Sequence, residues 1–244
     1  MKKRIDLLLV EKYQVESRAK AQAMIMAGQV FVAGKKIIKS CEFFWSDSNI
    51  SIVNLHPQLV SRWSLKLIHA IQYFNFKVKN LICLDIGAST GGFTQVLLKN
   101  KAKKIYAVDV GTHQMHESLK NEKKIISLEK TNARYLNNTI IPDIIDLIVC
   151  DSSFISLKKV LKPSLDFLDK KKGTIIALIK PQFEAKKFEI KRGGVVIKES
   201  VHKRICKEIE NWFVYECKMK VLGILESPIK GPKGNTEFLI VAKY

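Results

Sequence analysis

The sequence predicts an α/β protein: an open seven-stranded sheet with an antiparallel last strand, plus a small N-terminal α+β unit. Three observations carry this. From residue 81 onward, short apolar strands alternate with helical segments. The strands are near-continuous apolar runs, which implies a sheet covered on both faces. The last two strand candidates are joined by the nine residues Ser227–Asn235 without a helix, so they pair antiparallel.

The N-terminal unit comes first in the chain. Ile5, Leu8 and Leu9 give helical spacing over residues 4–13, and Ser17 N-caps a second helix through Ala19, Ala23, Met24 and Ile25. Gly28 ends that helix. Val30-Phe31-Val32 reads as a strand, Ala33-Gly34 as a turn, Lys36-Ile37-Ile38 as the return and Ile50–Val53 as a further strand. Asn54–Ser61 contains Pro57, lacks periodicity and reads as a linker, which divides the chain into domains 1–60 and 61–244. A helix resumes at Ser64 with an apolar stripe of Leu65, Leu67, Ile68, Ile71 and Phe74, leaving Lys66 on a different face.

In the second domain, strands are expected at Leu81–Ile86, Lys104–Val110, Ile125–Leu128, Ile145–Asp151, Thr174–Lys180, Met219–Leu225 and Glu237–Ala242. Helices are expected near 93–99, 113–120, 155–169 and 199–212.

Composition narrows the function classes. The 244 residues carry 42 Lys+Arg against 23 Asp+Glu, formally +19, which points to a polyanionic partner. Lysine outnumbers arginine 36 to 6, so part of the excess is compositional bias and the arginines are the more informative cations. No apolar run has the length of a membrane span, and Asp6, Glu11 and Lys12 break up the basic N-terminus before it could serve as a signal peptide. The five cysteines are scattered without a CxxC pair, so neither a disulfide framework nor a metal site is expected, and the compartment is expected to be reducing and cytoplasmic.

The segment Asp85-Ile86-Gly87-Ala88-Ser89-Thr90-Gly91-Gly92-Phe93 joins the first strand of the second domain to its first helix. Glycines here let the backbone approach a ligand and free helix-start amides for an anionic group. Asp109 follows 24 residues after Asp85, at the end of the second strand, where a carboxylate accepts from both hydroxyls of a ribose. The spacing is G-x-x-x-G-G rather than G-x-G-x-x-G, and an acidic residue precedes it. Asp85 suits the ammonium of a methionine moiety and does not suit a pyrophosphate. S-adenosylmethionine is therefore favoured over NAD as the cofactor, on a Rossmann-like methyltransferase sheet. Asn132 and Ala133 follow the third strand, where adenine would lie; Asn132 either bonds the base edge or caps a turn.

Asp151 and Lys180 end parallel strands at the carboxyl edge, where open sheets bind ligands, and Glu237 returns to that edge on the antiparallel strand. Lys66 leans in from the preceding helix. A ribose hydroxyl is a poor nucleophile until a base takes its proton, and Lys180 is the candidate base, oriented by the carboxylates.

Two resemblances extend this reading. Arg4-x-Asp6-x-x-Leu9, Ser17-Arg18-x-x-Ala21 and Ile25-x-x-Gly28-x-Val30-x-Val32-x-Gly34 resemble the small RNA-binding domain first known from ribosomal protein S-four. That implies an RNA-binding face with Arg4, Arg18, Lys20, Lys35 and Lys36, to which Arg62, directly after the linker, is added. Lys66-Asp151-Lys180-Glu237 resembles the K-D-K-E tetrad of the FtsJ-type ribose 2′-O-methyltransferases. Leu84–Thr94, Tyr106–Gly111, Thr131–Leu136, Ser153–Leu157, Leu178–Glu184, Gly193–Val196 and Gly234–Leu239 are closer still to the TlyA family, historically called hemolysin A. The resemblance implies an S-adenosylmethionine-dependent enzyme methylating cytidine 2′-hydroxyls of ribosomal RNA within ribosomal subunits, with no membrane and no metal involved. This chain departs from the family at Trp63-Ser64, where two glycines are usual, and at Ser152, where valine is commoner. Two other functions compete: an RNA-binding ribosome-assembly factor without catalysis, and a pore-forming hemolysin, against which the lack of a spanning segment argues.

Overall fold

A computed structural model describes all residues except 14, 16, 27 and 53–58, and all described side chains except those of Lys20, Ala23 and Pro232. The chain divides into two units, Met1–Gln58 and Leu59–Tyr244.

In the first unit, a short strand β1 (Lys2–Arg4) leads directly into α1 (Ile5–Tyr13), followed by α2 (Arg18–Met26). Ile5, Leu8 and Leu9 of α1 pack with Ala21 and Ile25 of α2, the 3.6-residue spacing bringing both apolar stripes to one core. Gly28 ends α2 at φ +69°. A three-stranded sheet follows from β2 (Val30–Val32), β3 (Lys35–Lys36) and β5 (Ile50–Ile52), with β2 central and antiparallel to both. Ala33 and Gly34 both have positive φ, as the tight β2–β3 turn requires. The return strand is shorter than expected, and β4 (Phe43–Trp45), absent from the sequence reading, pairs antiparallel with β1. The end of the expected 50–53 strand and most of the expected linker lie outside the described residues.

The second unit opens with α3 (Ser64–Tyr73) and is built on the sheet β6 (Ile82–Ile86), β7 (Lys104–Val108), β8 (Ile125–Leu128), β9 (Leu147–Cys150), β10 (Thr174–Ile179), β11 (Lys220–Glu226) and β12 (Phe238–Lys243). The strand order is β11-β12-β10-β9-β6-β7-β8. β6 to β10 are parallel, and β12 runs antiparallel to both β10 and β11. Every residue of β9 and β10 is buried, because apolar clusters cover both faces. The helices α4 (Gly92–Lys99), α5 (Glu117–Lys120), α6 (Leu157–Leu161), α7 (Pro181–Glu184) and α8 (Glu199–Asn211) connect the strands.

Several expected boundaries shift. The 113–120 helix shrinks to α5, because His113 takes φ +52°. The 155–169 helix begins at Leu157 and tightens into a 3-10 turn from Lys162, where Pro163 lacks the N–H an α-helix would use. The last turn of the 199–212 helix widens into a π-helix at Trp212–Glu216. The strands stop one residue short of Asp109, Asp151 and Lys180, and β12 starts one residue after Glu237. Each of these four residues therefore stands on the loop side of its strand end.

Candidate active site

Parallel neighbours β6, β9 and β10 bring Gly87, Asp151 and Lys180 to one edge of the sheet. Because β12 pairs with β10 in the register Ile179↔Phe238, the residue before Phe238 returns to that edge, and Glu237 completes the row. α3 is pinned against the start of α4 by Ser64 Oγ, which donates to the Gly92 carbonyl at 2.9 Å. This close approach needs Gly92, whose Cβ would sit 3.1 Å from that of Ser61.

The four residues form one chain of ion pairs. Glu237 Oε2 lies 2.7 Å from Lys66 Nζ, Lys66 Nζ 3.3 Å from Asp151 Oδ2, and Asp151 Oδ1 2.6 Å from Lys180 Nζ. Lys66 is only 1% exposed and Glu237 is fully buried. The expectation that Lys66 occupies a face away from the packed side of its helix is corrected: Ser64, Lys66, Leu67 and Ala70 are the buried residues of α3. A buried ammonium is tolerated there because two carboxylates accept from it. Its third side faces the Trp63 ring, 4.5 Å from Nζ. Lys180 Nζ also donates to Ser153 Oγ at 2.9 Å and to the Asp151 carbonyl at 3.3 Å. Glu237 accepts a further bond from Gln182 Nε2 at 3.2 Å, and a Cβ at Gly231 would stand 2.1 Å from Glu237 Oε1.

Beside this chain lies a cleft of about 790 Å³ lined by Gly87, Ser89, Asp109, Asn132, Ala133 and Phe154 among others. A smaller pocket of about 150 Å³ reaches from Gly87–Thr90, Gly92 and Phe93 to Trp63, Lys66, Asp151 and Lys180. Gly87 and Gly91 take φ +82° and +88°, and a Cβ on Gly87 would stand 3.1 Å from the Ser152 backbone. The amides of Gly87 and Ala88 are committed to the Val108 carbonyl, so they are not free for an anion. Asp109 accepts from Ser89 N and Gly111 N, both at 2.8 Å, which fixes its carboxylate at the cleft wall. Asn132 Oδ1 accepts from Arg134 N at 3.0 Å, so its oxygen caps a turn; buried Ala133 follows it.

Asp85 stands deeper than its position before the glycine loop suggests. It is fully buried, lines neither cavity, and its Oδ2 accepts from Thr94 Oγ1 at 2.6 Å, tying β6 to α4. Burial, reinforced by the charges of Asp151 and Asp109, pushes its carboxyl up to about 7. Among the described residues Asp85 Oδ1 has no hydrogen-bond donor, which leaves it open to a donor on a ligand. That orphaned acceptor, the fixed Asp109 carboxylate and the Gly87 cradle fit a nucleoside carrying an amino-acid tail.

In the first unit, Arg4 and Arg18 meet on one buried carboxylate. Arg4 donates through Nε and Nη2 to Asp6 at 3.0 and 2.8 Å, Arg18 Nε donates at 3.0 Å, and Gln22 Nε2 at 2.8 Å. The hydrogen bond from Arg4 holds the Asp6 carboxyl well below the usual carboxylate range. Lys35 and Lys36 are exposed on β3, and the Lys20 side chain lies outside the described residues. Arg62 stacks on Trp63 at 4.3 Å, and burial lowers its guanidinium pKa.

Sequence reasoning missed Ser153, Gln182, Gly231 and Phe154. Phe154 is 90% exposed, takes φ +65° and packs against Phe183 at 5.3 Å. The one signal for it was a bulky aromatic directly after Asp151-Ser152-Ser153, at a strand end.

The FtsJ-like methyltransferase family profile matches residues 59–244, and the S4 domain profile matches residues 3–39. Hemolysin A of Brachyspira hyodysenteriae is 40% identical over 97% of this chain and 98% of its own length. The 16S/23S rRNA (cytidine-2'-O)-methyltransferase TlyA of Mycobacterium tuberculosis (strain H37Rv) is 37% identical over 97% of this chain and 88% of its own. Among solved structures, a putative hemolysin from Streptococcus thermophilus superposes with a TM-score of 0.77 at 36% identity, covering 99% of this chain and 88% of that one. The tetrad, the glycine cradle beside it and these matches agree: the chain belongs to the FtsJ-like methyltransferase family, in the branch that holds hemolysin A and TlyA.

Proposed function

We propose that this protein transfers a methyl group from S-adenosylmethionine to the 2′-hydroxyl of cytidine in ribosomal RNA, acting on ribosomal subunits in the cytoplasm. The observation that carries the reading is the unbroken chain Glu237–Lys66–Asp151–Lys180, with contacts of 2.7, 3.3 and 2.6 Å, ending beside the Gly87 cradle. The cofactor, when bound, supplies a methyl on a sulfonium, which needs a nucleophile and no metal. With the cofactor bound, Asp109 would hold its ribose, Ala133 and Asn132 would border its base, and Asp85 would answer its ammonium through the unpaired Oδ1. Lys180, after losing one of its own protons to solvent, would take the proton of the attacking hydroxyl as the oxygen–methyl bond forms and the sulfur–methyl bond breaks, the cofactor leaving as the neutral thioether. Asp151 fixes the Lys180 amine, and Lys66 with Glu237 fixes Asp151. Glu237, Lys66 and Asp151 stay in place while the hydroxyl proton moves to the Lys180 amine, so little reorganisation is needed. Phe154 offers a stacking face to a base splayed from the RNA. Arg4, Arg18, Lys35 and Lys36 bind phosphates, reading RNA shape.

The name hemolysin raises a second reading, a pore. Among the described residues no helix is long and apolar enough to cross a membrane. Tritiated methyl transfer to purified small and large ribosomal subunits, run beside dye release from liposomes, tests both. Incorporation at a cytidine 2′-oxygen is expected, with no dye release. Dye release without incorporation would overturn the proposal.

A further inference from the structure

The first unit carries a surface that the arginine cluster around Asp6 does not explain. β4 alternates about the plane of its two-stranded sheet. Phe44 points to the core, where it packs against the apolar cluster of α1 and α2. Phe43 and Trp45 point the other way and are 61% and 55% exposed. The register sets Lys2 opposite Trp45 and Arg4 opposite Phe43, and directly opposed residues share a face of an antiparallel pair. The Lys2 ammonium already lies 5.2 Å from the Trp45 ring centroid. Both ends of the ribbon are tied down: Ile5 N donates to the Glu42 carbonyl at 2.9 Å, Ser46 N to the Met1 carbonyl at 2.9 Å, and Lys12 Nζ to the Ser46 carbonyl at 2.5 Å. The rings therefore stand on a fixed scaffold.

We propose that Phe43 and Trp45, flanked by Lys2 and Arg4, form a stacking platform for unpaired nucleotides of the RNA substrate; this rests on the reading of RNA as the partner. Scattered exposed apolar residues need no explanation, but two aromatic rings on one strand face, with cations opposite both, make a built pattern. Each ring offers a π-face to any base; Lys2 meets the phosphates between them, while Arg4, held on Asp6, adds positive charge beside Phe43. Same-face residues on a strand lie about 6.6 Å apart, a spacing that suits an extended single strand rather than a stacked duplex. Charge complementarity selects RNA over an acidic-free apolar partner: residues 1–60 hold nine basic against five acidic side chains. Paired RNA hides its base faces, so the platform distinguishes single strands from duplex.

The test uses the full-length protein and two fluorescein-labelled RNAs, an unstructured 12-mer (~12 nucleotides) and a duplex of the same length, with binding read by anisotropy. Phe43→Ala and Trp45→Ala are each expected to weaken single-strand binding about 5- to 100-fold while changing duplex binding less than about two-fold. Trp45→Phe, which keeps a ring, is expected to retain affinity within about three-fold. The salt slope should stay unchanged in Trp45→Ala, since stacking releases no counterions, and should fall by about 0.7 in Lys2→Gln. The unsubstituted protein needs no folding control: its tryptophan emission should quench on single-strand binding, and the part of that quench due to Trp45 should be missing in Trp45→Phe. Equal losses on both RNAs, or no loss on either, would overturn the platform. So would alanine variants that change the sedimentation coefficient while RNA binding stays intact, since the face would then join protein to protein. If the unsubstituted protein binds neither RNA, the RNA reading itself falls with it; if it binds both and ignores the aromatic substitutions, only the platform falls.

Discussion

Lys66 and Glu237 come from opposite ends of the second unit's sequence, yet meet at 2.7 Å with both side chains sealed from solvent. Such a pair contributes little net stability, because desolvation offsets most of the attraction. Its consequence is positional: Lys66 also reaches Asp151 at 3.3 Å, so the buried pair holds the carboxylate that faces Lys180.

Breaking the pair should therefore cost more than removing it. Glu237→Ala leaves the Lys66 ammonium with one carboxylate and is expected to destabilise the protein by about 3–5 kcal/mol in urea unfolding. Lys66→Met combined with Glu237→Gln removes the buried charges together and should recover most of that loss while methyl transfer stays abolished. A double variant no more stable than Glu237→Ala alone would contradict the coupling.

Asp109 gives the cleanest test of the cofactor cleft. Its carboxylate is held by Ser89 N and Gly111 N at 2.8 Å, and it lines the larger cavity. Asp109→Ala should weaken S-adenosylmethionine binding by about 1.5–3 kcal/mol, the worth of a charge-assisted hydrogen bond. Calorimetry with the isolated cofactor measures this without RNA, and an unchanged dissociation constant would remove Asp109 from the site.

Asp85 should leave a signature in stability against pH. Its carboxyl sits at about 7 in the folded protein, mainly through burial, against 3.8 when unfolded. Between those values the folded state keeps a proton that the unfolded state has lost, so stability falls as pH rises from about 4 to 7 and levels off above. Asp85→Asn removes this slope, and the difference between the two urea-unfolding curves at pH 5 and pH 8 should be on the order of a few kcal/mol. A ligand donor reaching Oδ1 would stabilise the ionised form, so cofactor should shrink the difference. Parallel curves for the two proteins would show that Asp85 does not titrate in this range.

Asp6 predicts the opposite trend in the first unit. Its carboxyl is held low, above all by the Arg4 hydrogen bond, so its contribution is complete above the unfolded value near 3.8 and is lost as pH falls below it. Hydrogen exchange of α1 amides between pH 5 and pH 3 should show protection declining in the natural protein and not in Asp6→Asn.

The sequence disclosed the sheet because apolar runs of strand length leave few alternatives, and it disclosed the tetrad because strand ends converge on one edge. It brought Lys66 to the tetrad but not into the packed side of its helix, since periodicity separates a lysine from an apolar stripe and cannot know that Glu237, 171 positions away, waits in the core. The depth of Asp85 was not legible for a related reason. Spacing puts it next to the glycine loop, but the side-chain direction at a strand's penultimate residue decides whether it meets ligand or Thr94. β1 and β4 escaped notice because three-residue strands carry too little periodicity to stand out. Nothing in the sequence singles out Phe43 and Trp45, and their exposure becomes visible only with the pairing.

The base assignment decides the mechanism. Among the described residues Lys180 Nζ pairs with Asp151 Oδ1 at 2.6 Å and donates to Ser153 Oγ at 2.9 Å and the Asp151 carbonyl at 3.3 Å. To act on a ribose hydroxyl, the amine must exchange a donated bond for an accepted one as the methyl is transferred. Lys180→Met keeps the apolar stem, so packing at the end of β10 should survive, and cofactor and RNA affinities should hold within about two-fold. The proton leaves only in the transition state, so the loss belongs in turnover rather than in binding. Removal of a general base costs on the order of 10²–10⁴-fold. Positioning alone, with donor and hydroxyl still held together, would leave a much larger residual rate. Single-turnover measurement at saturating subunit and cofactor isolates the step. A Lys180→Met rate within a few-fold of the natural protein would move the proton to Asp151, whose Oδ1 the missing amine would then leave open to the hydroxyl.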